Sequence, residues 1–217
     1  IVVVTRSARE DARAVEWRGR ADGSYSVRLL EADIAPGTRV YLTCRSGHES
    51  LFLGDSIREL AHHYGGLFTP WICVTRCGES LVVNDGGSPW RREYSGDKAR
   101  VQALLQYGAE TFGLNFLDAI PLHSQAGGID GVAYVLPHPA NLNARRAHRV
   151  YLRNMLLSEE AENLLPDWAF FVKAVVNAEN LRPTASREGF YEDERLEATR
   201  VELGNCLREY LMRLAER

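Results

Sequence analysis

No apolar run in these 217 residues approaches the roughly 18 positions that a membrane-spanning helix needs. The apolar opening, residues 1–4, is also far shorter than the core of a secretory signal. Cysteine is scarce. Four in a chain this long are too few for a disulfide scaffold, so reduced thiols and a cytoplasmic setting are expected. Cys73 and Cys77 have no histidine at a zinc-finger interval, so no metal site is expected and small buried thiols are the simpler reading. Neither sign of charge dominates. With 26 basic and 29 acidic side chains the net charge is -3, which argues against a general nucleic-acid or membrane-surface binder. The chain also lacks a Gly-x-Ser-x-Gly elbow, a Walker loop and a nucleophile–histidine pairing, so no self-contained catalytic site can be named.

What is present is ordinary globular usage, 45% hydrophobic and 25% charged, at a length between one domain and two. The opening run IVVVT is β-branched and reads as a buried strand. Nothing precedes it to pair with or cover it, so the chain is expected to be a piece of a longer protein. Val15 and Trp17, then Tyr25, Val27 and Leu29, then Val40, Leu42 and Cys44 recur at period two, the mark of an antiparallel meander. A helix follows. Ser56 and Glu59 match a capping box, and Ile57, Leu60, Ala61 and Tyr64 form a stripe expected to cover the meander until Gly65-Gly66 ends the helix. His62 and His63 adjoin on that helix, so their side chains diverge and cannot chelate together.

A strand at 71–75 leads to NDGGSP at 84–89, all turn formers and the best boundary candidate. Beyond it Val101, Leu104, Leu105 and Gly108 predict a short helix, and 131–137 and 149–157 predict strands. The basic stretch 143–149 reads as a solvated connection. A second helix is expected near Leu165, with Trp168, Phe171, Val172, Val175 and Val176 on one face. The last helix is expected to run from Arg187 or Phe190 to the end, with Leu196, Leu203, Leu207, Tyr210, Leu211 and Leu214 as its stripe. The fold class is therefore α/β: an antiparallel-sheet-plus-helix unit, then an α/β unit with a long C-terminal helix.

One stretch carries chemistry. In LRPTASREGFY, Arg187 is expected at a helix N-terminus, where free N–H groups and the positive dipole end suit an anionic oxygen. Its planar fork is suited to phosphoryl charge. On pattern alone the plainer reading is a surface ion pair with Glu188 or Glu192.

The run RVYLRNMLLSEEAENLLPDWAFFVKAVVNAENLRPTASREGF resembles the middle domain of the heat-shock protein 90 chaperone family, bacterial HtpG type, up to its SRE helix start. The opening, with its Glu16-Trp17 strand and Gly37-Thr38 turn, is similar to the second half of that family's ATPase domain. NDGGSPW, ending at Trp90, resembles the link and tryptophan that begin the middle domain. The resemblance implies residues 1–80 as the C-terminal half of a GHKL-type ATPase domain, 81–89 as a linker and 90–217 as the first part of the middle domain. It implies nucleotide contact at Thr38 and Gly37, and Arg187 as the catalytic arginine that reaches the ATP γ-phosphate. It also implies a domain contact at Leu156, where many members carry phenylalanine, and at Trp90.

The family's glutamine four residues after the arginine is Tyr191 here. ATP and magnesium are the implied cofactors, their main ligands lying outside this chain. Implied partners are non-native client proteins, the missing half of the ATPase domain, and a second subunit held through an absent C-terminal domain, with no nucleic acid and no membrane. The implied function is an ATP-dependent, cytoplasmic chaperone whose isolated fragment does not turn over. Two alternatives stay open: a client-holding relative without ATP dependence, and an ATPase of the mismatch-repair or topoisomerase type, which calls for a lysine in place of Arg187.

Overall fold

The computed structural model describes residues 1–138, 148–186 and 189–216. Most of the basic stretch, and Arg187 and Glu188, lie outside the described residues. The chain divides into two compact units, Ile1–Ser56 and Ile57–Arg217.

In the first unit, β1 (Val2–Arg6), β2 (Ala14–Gly19), β3 (Tyr25–Leu30) and β4 (Gly37–Tyr41) form one antiparallel sheet in the order β3-β2-β1-β4. The β-branched run sits at its centre because β1 pairs on both sides, Val3 with Trp17 and with Val40. Trp17 in turn pairs with Val27, so Val27, Trp17, Val3 and Val40 make one row across all four strands. Alternation puts charge on the other face. There Glu16 accepts from Arg28 and Arg18, and the Arg28 hydrogen bond holds its carboxyl below the ordinary value.

The outer strands leave this face exposed: Val27 and Leu29 on β3 and Val40 on β4 are all more than half exposed, while Val3 and Trp17 between them are partly buried. The helix expected over it is α1 (Gly54–Gly65), but its stripe residues Ile57, Leu60 and Tyr64 are exposed too. Ser56 falls inside the first turn of α1, so the Ser56–Glu59 pair is not its N-terminal box.

In the second unit, β5 (Cys73–Arg76) and β6 (Glu79–Val82) form a separate hairpin. Cys77 and Gly78 turn it, both at positive φ, and the Cys73 and Cys77 thiols are exposed rather than buried. The turn-rich stretch 84–89 does not divide the units. The buried Asn84 side chain accepts from Ile72 N at 2.7 Å and donates to the carbonyls of Phe68 and Pro70. Three hydrogen bonds tie that stretch to the chain before it, and the contact boundary lies earlier, after Ser56.

The main sheet runs β10-β9-β11-β8-β7. Its strands are β7 (Ala119–Ser124), β8 (Ile129–Val135), β9 (His148–Leu152), β10 (Met155–Ala161) and β11 (Val172–Ala178). β11 is where a helix was expected near Leu165. Val172, Val175 and Val176 match a helical stripe, yet the run is β-branched and both its faces are buried, which removes the alternation that marks a half-exposed strand. Val172, Ala174 and Val176 join the core beneath α3 (Glu194–Ala215), with Leu196, Leu203 and Leu207. Val175 joins the opposite core with Leu104 of α2 (Asp97–Phe112), Trp90 and Tyr134. The sheet thus lies between two helices.

The single strand expected at 149–157 is a hairpin. Arg153 and Asn154 turn it at φ 50° and 67°, and the buried Asn177 side chain accepts from Asn154 N at 2.7 Å. Asn tolerates this region but arginine gives no sequence warning of it. α2 has 16 residues, longer than the short helix expected, and Gly108 lets it approach the Tyr134 ring, where a Cβ would meet ring atoms at 2.6 to 2.9 Å.

Candidate functional site

The stretch that carries Arg187 leaves the sheet after β11. Leu181 and Phe190 are buried in the α3-side core and anchor its two ends. Between them the backbone closes as a narrow hairpin. Pro183 bridges Phe190, Tyr191 N donates to Arg182 O at 3.0 Å, and Thr184 N donates to Gly189 O at 2.9 Å. The Thr184 hydroxyl also donates to Gly189 O at 3.3 Å and lies 3.2 Å from the Ser186 hydroxyl. Only residues 185–188 remain between these pairs.

This arrangement corrects the expected helix start. α3 begins at Glu194, capped by Asp193, whose Oδ1 accepts from Leu196 N at 2.9 Å. Asp193 followed by Glu194 and Glu197 is a strong N-terminal signal, whereas Gly189 is a poor first-turn residue. The free N–H groups of this helix therefore belong to the turn that starts at Glu194 and not to the stretch that carries Arg187. Glu192, the surface partner considered for Arg187, accepts from the Asn163 amide and from Arg200. Those contacts, Asn163 first, hold its carboxyl below the ordinary value.

A cavity of about 350 Å³ opens beside the hairpin base, lined by Leu152, Arg153, Met155, Leu156, Leu157, Leu181 and Pro183. Leu156 thus lines one cavity with Leu181 and Pro183 of the hairpin base. Leu156 itself is 8% exposed and shares a core with Trp90. The Trp90 indole N–H donates to Asp130 Oδ2 at 2.5 Å, and Arg91 grips the same carboxylate through Nε and Nη2. Trp90 is thereby held inside the second unit. Asp130, and Glu179 after it, keep the Arg91 guanidinium protonated above its ordinary range.

Thr38 and Gly37 belong to the first unit. Thr38 is exposed on β4 with its hydroxyl 2.7 Å from that of Thr5, and Thr5 also donates to Gly37 O. Gly37 has φ +138°, a value that favours glycine. Thr5 was missed by sequence reading; its place opposite Thr38 follows from register, which no local pattern gives. Also missed was a cluster in which Arg149 lies 3.3 Å from His63 Nδ1 and 3.4 Å from Glu159. His63 Nε2 stands 3.6 Å from Glu159, while His62 faces Asp85, so the adjacent histidines do point apart.

An α/β chain of two units, the second presenting a closed hairpin beside an apolar cavity, is the class these observations define. No family model matches the chain. Chaperone protein HtpG of Dechloromonas aromatica (strain RCB) is 25% identical over 231 aligned residues, 97% of this chain and 35% of that protein. Chaperone protein HtpG of Methylobacterium sp. (strain 4-46) is 30% identical over 201, covering 87% and 31%. The HtpG protein of Bordetella pertussis (strain Tohama I) is 26% identical over 221, covering 92% and 34%. Over most of its length the chain is similar to bacterial HtpG chaperones of the heat-shock protein 90 family. It spans about a third of the length of these curated relatives.

Proposed function

We propose that this chain is the junction of the ATPase and middle domains of an ATP-dependent chaperone, with Arg187 supplying a guanidinium to the γ-phosphate of ATP. The observation that carries the reading is the hairpin: its base is fixed by Leu181 and Phe190, and it shares a cavity wall with Leu156. A planar fork stabilises the charge that builds on phosphoryl oxygens, and it does so best when the element bearing it is held in place. Thr38 offers an exposed hydroxyl and Gly37 an unhindered backbone for nucleotide contact. Among the described residues no group of three or more His, Cys, Asp or Glu side chains is arranged to hold a metal ion. The described residues therefore do not by themselves make a magnesium site.

Non-native proteins as clients, assembly as a homodimer through a further domain, and a cytoplasmic location belong to the same reading. Among the described residues no helix is long and apolar enough to cross a membrane. The competing reading, a client-holding relative without turnover, draws its support from Tyr191, which stands exposed where the resemblance implies glutamine.

The test is steady-state ATP hydrolysis beside direct nucleotide binding in the full-length protein. Arg187→Ala is expected to lower turnover about 10-fold or more, equal to about 1.4 kcal/mol of barrier, with ATP affinity little changed. Arg187→Lys should restore only part of it, because an ammonium lacks the fork. Unchanged turnover in the alanine variant overturns the reading.

A further inference from the structure

The turn between β9 and β10 carries an arginine in a conformation that suits a smaller residue. Arg153 has φ 50°, in the left-handed region favoured by glycine and asparagine. Its backbone is fixed there, because Arg153 N donates to Ala178 O at 2.8 Å and Asn154 N to the Asn177 side chain at 2.7 Å. Its exposed guanidinium is held far less firmly. Nε meets Glu179 O at 3.4 Å, and among the described residues no carboxylate lies within ion-pair distance of it. The Glu179 carboxylate faces Arg91 instead, at 3.3 Å. Unpaired arginines are common on surfaces, but this one lines the cavity of about 350 Å³ at the hairpin base, whose other walls are four leucines, Met155 and Pro183. Leu156 and Leu181 are buried there, while Met155 is 48% exposed.

We propose that this cavity is a binding site for a small apolar carboxylate, with its body among the leucines and Met155 and its charge on Arg153. A carboxylate presents two oxygens, and a guanidinium meets them with two parallel N–H donors. The cavity is near the lower end of the usual size for ligand sites and is apolar apart from one cation. It therefore offers no second charged side chain for a sugar phosphate or a nucleotide. Met155 is unbranched and can repack around bodies of different shape. The site goes beyond the role given to Arg187 and holds whether or not that arginine reaches a phosphate.

The test is isothermal titration of octanoate, with 1-octanol as the uncharged control, into the full-length protein and its variants. Wild type should bind octanoate saturably at one site per chain, and octanol several-fold more weakly. Arg153→Gln should weaken octanoate about 10-fold and leave octanol unchanged, while Arg153→Lys should keep part of the octanoate affinity. Met155→Trp adds bulk at the cavity and should weaken both ligands. Both positions are exposed, so the variants should keep the wild-type urea midpoint, and Met155→Trp carries the test if the Arg153 variants fold poorly. No saturable octanoate binding, the result expected if another segment of the protein already fills the cavity, overturns the site. Octanoate binding that survives both Arg153→Gln and Met155→Trp lies elsewhere and overturns it as well. Equal affinities for octanoate and octanol, unmoved by Arg153→Gln, overturn the assignment of a carboxylate.

Discussion

The two units use the same strand-forming residues and treat them oppositely. In the first, valines and leucines line one face of a four-stranded sheet and stay more than half exposed on β3 and β4. In the second, Val172, Val175 and Val176 on β11 are buried on both faces between α2 and α3. A period-two pattern therefore marks which face of a strand is apolar; whether anything covers that face is a separate fact. The β11 pattern lost its alternation because both sides are covered. The β3 pattern kept it although its apolar side is open.

The comparison can be broken by substitution. The largest effect is expected from Leu203→Ala, which empties a fully buried position under the main sheet and should destabilise the second unit by about 2–5 kcal/mol in urea unfolding. Asp130→Asn should cost less, about 1–2 kcal/mol, because the amide can still accept one hydrogen bond while the Arg91 fork loses its charged partner. The same variant should speed proteolysis near 84–92, since Trp90 and Arg91 pin the end of that stretch to β8. No change in either measurement would show that Asn84 alone holds it.

A smaller effect separates the units by pH. Glu202 is hydrogen-bonded first by Ser124 and then by Ala126 N, and Glu16 by Arg28, so both carboxyls lie below their ordinary values in the fold. A depressed carboxyl stabilises the fold above its unfolded pKa, and that contribution is lost as pH falls through the folded value. Stability should therefore drop below about pH 4.5. Glu202→Gln should flatten the acid limb of the second unit, and Glu16→Gln that of the first, followed as unfolding midpoints against pH. The least effect is expected from Val27→Ala, within about 0.5 kcal/mol, because the side chain is already in solvent. A cost near that of Leu203→Ala would mean that the face is covered in solution and would end the contrast.

Much of the fold was legible where one face meets water. The meander, the stop at Gly65, and the Leu196, Leu203 and Leu207 stripe all carry local periodicity or turn chemistry. The failures have separate local causes. β11 is apolar on both faces, the Arg153-Asn154 turn lacks glycine, and β7 sits where the pattern is weakest. At the candidate site the sequence pointed to Arg187 and Leu156, but placed the arginine at a helix end that in fact begins at Glu194. The Arg182–Tyr191 stack is a cross-strand pair that only closure of the hairpin sets side by side.

By itself the sequence determined the strand-rich opening and the position of the long final helix to within a few residues, because these depend on residue type and spacing along the chain, and it carried the resemblance to the HtpG chaperones. Tertiary structure alone decided that Val172–Ala178 is a central strand, that 84–92 is held within the second unit, and that Pro183 pairs with Phe190 beside the cavity that Leu156 lines. Each of those outcomes rests on partners distant in sequence, and free energy gained across such contacts outweighs local preference where the two disagree.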